Sequence, residues 1–119
     1  TKKFPGFYLT DSGFEIEYQA DSADQIAAAI KARTSMKTNS SALIVANPVK
    51  NQMDKKLHDS ILASGLALAE KEEITGKAVT PFLLEHFHTA SDGDSLRVNI
   101  EIIKSNSALA ADIAVALNK

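Results

Sequence analysis

The chain has 119 residues, a net charge of −2 and no cysteine. A nucleic-acid or membrane-surface partner needs a concentrated positive patch, and no basic block is present; without thiols there is neither a disulfide framework nor a thiolate metal site, which is compatible with a reducing compartment. Apolar residues make up 45% and charged residues 24%, the balance of a soluble chain with one modest core. No apolar run approaches the roughly 18 residues of a membrane span, and no signal peptide is visible. The first residue is Thr1 rather than Met, so the chain reads as a piece of something longer.

Phe4-Pro5-Gly6-Phe7-Tyr8 opens the chain. Pro5 holds Phe4 out of the helical region, and Gly6 permits a tight turn. After the turn cluster Asp11-Ser12-Gly13, Phe14, Ile16 and Tyr18 alternate with Glu15 and Glu17. That period-two pattern predicts a half-buried strand, paired with the first stretch as a hairpin or bent strand pair. Ser22-x-x-Gln25 is a capping box, and an alanine-rich helix follows over 23–34. Met36 to Ser41 is polar and reads as a loop. Ala42-Leu43-Ile44-Val45-Ala46 is a continuous apolar run, predicted as a short strand covered on both faces. Asn47-Pro48 ends it. In open α/β sheets ligands gather beyond such strand ends, so Asn47 is either a site residue or a plain Asn-Pro turn.

A long helix is predicted over 54–74, its stripe being Leu57, Ile61, Gly65 and Leu68. Glycine in mid-helix costs close to 1 kcal/mol against alanine, so Gly65 is expected to permit close packing. Thr75-Gly76 should stop this helix. Thr80 should cap the next, with Pro81 at its first position and Leu84 and Phe87 on its buried face. Ser91 to Ser95 is a turn before the final helix, 94–117. There, Ile103, Leu109, Ala110, Ile113, Ala114 and Leu117 recur at helical spacing, with Asn99 and Asn106 on the same stripe. A buried amide without partners costs roughly 1–3 kcal/mol. Either both asparagines bond to a neighbouring loop, or one of them faces a ligand.

Isolated motifs carry little chemistry. Gly76-Lys77 precedes a helix, but Lys71 and Ala78 stand where a Walker loop needs Gly and Ser or Thr, leaving only a loose anion contact for Lys77. His86 and His88 diverge by about 200° on a helix and make a poor metal pair, while His58 is distant in sequence. Asp92 and Asp94 are a fragment of a calcium loop without its other ligands. No Ser-His-Asp set is credible.

Several segments together point further. Phe4-Pro5-Gly6-Phe7-Tyr8, Ser12-Gly13-Phe14, Val45-Ala46-Asn47-Pro48, Gly76-Lys77-Ala78-Val79-Thr80-Pro81-Phe82-Leu83-Leu84, Ser95-Leu96 and Asn99-Ile100 follow in order. This resembles the C-terminal part of the pseudouridine-5'-phosphate glycosidases, the indigoidine synthase A-like family, over essentially all 119 residues. The departures are Ser41-Ala42 where the family has Gly-Gly, Ser105 where it has the first of two adjacent asparagines, and Gly6 where Ala is usual.

The resemblance implies residues 1–119 as a single C-terminal segment of a larger α/β enzyme domain. The expected fold class is the helix-rich part of a layered α/β/α fold, with few strands and about four helices. It implies that the whole protein reversibly splits pseudouridine 5'-phosphate into uracil and ribose 5-phosphate, as a Mn²⁺-dependent homotrimer. The family's covalent lysine, which forms an imine-type adduct at the opened ribose carbon, its acid/base glutamate and its manganese-binding aspartate match no residue here. Asn99 matches a family asparagine that contacts substrate; Asn47, Lys77 and Asn106 are weaker candidates. The alternative reading is a non-catalytic helical interaction module or remnant.

Overall fold

The computed structural model describes residues 1–38 and 40–119; Asn39, inside the expected loop after the first helix, lies outside the described residues. Four α-helices, α1 (Ala23–Ser35), α2 (Lys55–Lys71), α3 (Val79–Ala90) and α4 (Asp94–Leu117), account for most of the described residues, with a 3-10 turn at Gly76–Ala78. α2 packs on α3, α3 touches α4, and α1 lies along α4. The chain is therefore the helix-rich segment expected, and it is drawn out, measuring 51 × 27 × 21 Å. Its radius of gyration is 17.4 Å, against about 13–14 Å for a compact domain of this length.

The helix boundaries follow local chemistry. Ser22 caps α1 by accepting from the Gln25 amide, and Gln25 Oε1 accepts from the Asp21 amide at 2.7 Å. Asp54 caps α2 through the Leu57 amide at 2.9 Å. α2 stops at Lys71, three residues short of expectation. It ends in paired bonds from the Ile74 amide to Ala69 and from the Glu73 amide to Glu70, with Glu73 at φ 56°. α1 and α3 end in the same way around Lys37 and Asp92. A non-glycine residue thus takes the left-handed position at the close of three helices. α3 begins at Val79 because the 3-10 turn runs straight into it; Ala78, not Thr80, precedes it, and no side chain caps it.

The core gathers Tyr8, Val49, Met53, Ile61, Phe87 and Val98, with Leu62 and Ile102 against it. Gly65 is buried where α2 meets α3. A Cβ built there would sit 2.8 Å from the His86 ring and 2.9 Å from Leu83, so the close approach expected of this glycine is present. Leu84 and Leu57 are only partly covered, and Phe87 is the one residue of α3 that is buried.

Two strand expectations fail. The amino-terminal segments do form a hairpin, with amide bonds from Phe4 to Phe14 and from Ile16 to Lys2. Among the described residues, though, it has a single antiparallel bridge, Lys3–Glu15, and Phe14 and Tyr18 face solvent. Ala42–Ala46 is not a strand: Leu43, Ile44 and Val45 are exposed and no neighbouring strand lies among the described residues to pair with them. A strand needs a ladder partner for its amides, and none is there.

The inward face of α4 is also rotated from the one expected. Ser95, Val98 and Ala116 are buried and Ile102 is part-buried, whereas Ile103 is 61% exposed and Ala110, Ala114 and Asn106 are exposed. Leu109, Ile113 and Leu117 of the expected stripe are part-buried, so the covered face overlaps the expected one and is turned to one side of it.

Candidate functional site

Residues 47–53 run alongside α4 and bring Asn47 to Asn106. Asn47 Nδ2 donates to Ser105 Oγ and to Asn106 Oδ1, both at 3.0 Å. One helical turn away, Asn51 Nδ2 donates to Glu101 Oε1 at 2.9 Å. At the far end the Met53 amide donates to the Tyr8 carbonyl at 3.0 Å, and Gln52 Oε1 accepts from the amide and hydroxyl of Thr10. The segment is thereby stitched to α4 on one side and to the hairpin on the other. Asn106 does bond to a neighbouring segment, through a side chain rather than the loop backbone.

Asn99 is half-buried on the same side of α4, seven residues before Asn106 and so about 10 Å along the axis. It makes no side-chain hydrogen bond among the described residues, which leaves two donors and an acceptor for a ligand. Tyr8 is buried, and burial pushes its phenol pKa up, with Ser95 acting the other way. The Ser95 amide donates to Ser91 Oγ at 3.0 Å, which ties down the first turn of α4.

Lys77 is exposed on the 3-10 turn, which packs on α3 and not on α4, so Lys77 is not brought to the asparagines. Asn47 also borders an open groove of about 610 Å³ between α1, Tyr18 and the 43–48 run.

One pairing was not visible in the sequence. Ser64 Oγ and His86 Nε2 lie 2.8 Å apart across the Gly65 contact. Ser64 also donates to the Ile61 carbonyl at 2.9 Å. The serine hydroxyl is thus shared between the Ile61 carbonyl and the imidazole. Among the described residues no three His, Cys, Asp or Glu side chains cluster as a metal would require. No described helix is long and apolar enough to cross a membrane.

This helical layer leaves Asn99 half-buried and Leu96, Ile100 and Ile103 facing outward. The chain shares its fold with the structure of the prealnumycin C-glycosynthase AlnA in complex with ribulose 5-phosphate, on which it superposes with a TM-score of 0.84 at 22% identity, over 98% of this chain and 39% of that one. The model of the indigoidine synthase A-like proteins matches residues 1–116, and the chain belongs to that family. It is 55% identical over 118 residues to a pseudouridine-5'-phosphate glycosidase of Salinispora tropica, covering 98% of this chain and 36% of that protein. It is 43% identical over 119 residues to that of Saccharopolyspora erythraea, covering 98% of this chain and 39% of that protein. The chain thus spans well under half the length of these curated relatives.

Proposed function

We propose that this chain forms one wall of the active site of a pseudouridine-5'-phosphate glycosidase, which reversibly breaks the C–C bond between ribose and uracil to give uracil and ribose 5-phosphate. The 55% identity to the Salinispora tropica glycosidase carries this reading. Asn99 is the substrate contact: an unpartnered, half-buried amide offers both donors and an acceptor, which suits a uracil edge or ribose hydroxyls. Asn47 and Asn106 are weaker candidates, a bonded pair two turns further along the helix, and Lys77 is a separate, weaker candidate for an anion. The covalent lysine, the acid/base glutamate and the manganese ligand belong to sequence outside this segment, and the homotrimer rests on family resemblance. The 119 residues alone are inactive in this reading.

The test is a chimera in which this segment replaces its counterpart in the Salinispora tropica relative. With pseudouridine 5'-phosphate and Mn²⁺, the chimera should release uracil and ribose 5-phosphate in equal amounts, and the isolated segment none. A stable, folded chimera that leaves the substrate intact would refute the assignment, and uracil release by the segment alone would refute the division of labour.

A further inference from the structure

α4 has three faces. Ser95, Val98, Ile102 and Ala116 look inward. Arg97, Glu101, Lys104 and Asp112 share a charged side, along which Arg97 bonds Asp94 at 2.7 Å and Glu101 at 3.5 Å. The third side runs through Leu96, Ile100, Ile103, Ser107, Ala110 and Ala114 and carries no charged residue, the Ser107 hydroxyl being turned back onto the Ile103 carbonyl. It extends about 27 Å, five helical turns. Leu96 is 48%, Ile100 47% and Ile103 61% exposed. A helix side open to water normally carries charge, and a charge-free apolar one of this length marks a surface that another surface covers.

We propose that this third face of α4 is the docking surface for the remainder of the catalytic unit, the part of an indigoidine synthase A-like chain outside the matched region, and that Asn99 lies at the resulting seam. The proposal rests on the functional reading above and names the partner that completes its site. Three observations converge on this occupant. The relatives carry well over half their length beyond the part matched here. The segment is too drawn out for a closed domain of its size. Asn99, the half-buried amide without a partner, stands at the edge of the uncharged face, where an arriving surface would enclose it. A second copy of this chain laid on the same face would set Asn99 and Asn106 against apolar side chains and their own counterparts, and would add none of the groups this chain lacks. The complementary surface is therefore apolar and uncharged along a comparable length, with catalytic groups at its margin.

The experiment is co-expression of this chain, tagged, with the unmatched portion of the Salinispora tropica relative. The wild-type chain should capture that portion as a stoichiometric complex. Ile103→Asp should reduce capture by about tenfold or more, with the helical content of the chain unchanged. Val115→Asp makes the same chemical change on the charged side of the helix, where Val115 is 63% exposed, and should leave capture intact. Failure of the wild-type chain to capture the portion, equal capture by the Ile103→Asp variant, or occupation of the face by a second copy of this chain would each overturn the proposal. A captured complex that leaves pseudouridine 5'-phosphate uncleaved would overturn the glycosidase reading and support the docking face.

Discussion

Met53 is 1% exposed, Val98 0%, Ile61 4% and Phe87 4%, whereas Phe14 is 74%, Tyr18 83% and Ile44 83% exposed. The first group belongs to helices and a connecting segment that find their partners within this chain. The second belongs to stretches whose pattern is that of strands. A helix satisfies its own amides and needs only one face covered, so α2, α3 and the inner side of α4 close on each other. A strand needs neighbours on its edges and cover on its faces. Where none is at hand, as at Leu43–Val45, the apolar residues stay in water.

The sharpest way to break this contrast is to truncate one side chain on each side of it. Phe87 touches the rings of Tyr8 and His58, and Phe87→Ala should cost about 3–5 kcal/mol. Ile44→Asp should change the stability of the same 119-residue chain by no more than about 0.5 kcal/mol and reduce its self-association by removing an exposed apolar edge. Urea unfolding and size-exclusion chromatography read both effects. A large loss of stability at Ile44 would mean that the run is buried after all.

The boundary between the two regions is tested by Asn99. In the catalytically complete chimera, Asn99→Ala should lower kcat/KM by about tenfold or more, from roughly 1.5–3 kcal/mol of lost hydrogen bonding, with little change in Tm. Asn106→Ala removes the bond to Asn47 and serves as the reference, expected to cost about 0.5–1.5 kcal/mol of stability. Steady-state kinetics beside thermal melts separate the two, and unchanged kinetics for Asn99→Ala would leave the asparagine as a structural amide.

The smallest effect concerns a helix end on the closed side. Glu73 holds φ 56° at the close of α2, a conformation that costs a side-chain-bearing residue about 1 kcal/mol or more. Glu73→Gly should stabilise the chain by about 0.5–1 kcal/mol, seen as a Tm raised by a few degrees. A lowered Tm would show that the glutamate makes an interaction worth more than the strain.

What the sequence made legible was local. The Ser22–Gln25 cap, the close approach at Gly65 and the existence of four helices follow from residues within a few positions of one another. Helix ends were harder, because Glu73 and Asp92 adopt a backbone conformation for which glycine is the usual signal. The inward side of α4 was misjudged because Ile102 and Ile103 belong to two apolar stripes, and periodicity finds both without saying which is covered. For the site, Asn47 and Asn106 were each suspected, but their bond joins positions 59 residues apart in sequence, and no local pattern encodes it. Asn99 stands out through family resemblance, and among the described residues its amide makes no side-chain hydrogen bond.

The stitching of residues 47–53 to α4 has a consequence for specificity. Asn47 grips the helix at Ser105 and Asn106, and Asn51 grips it at Glu101. Advancing α4 by one residue means a screw of about 1.5 Å and 100°, and that movement would part both grips together. Two loop amides therefore act as a ruler for the helix. The height of Asn99 along the molecule is set by residues 47–53, and altering that segment is a way to move the amide without replacing it.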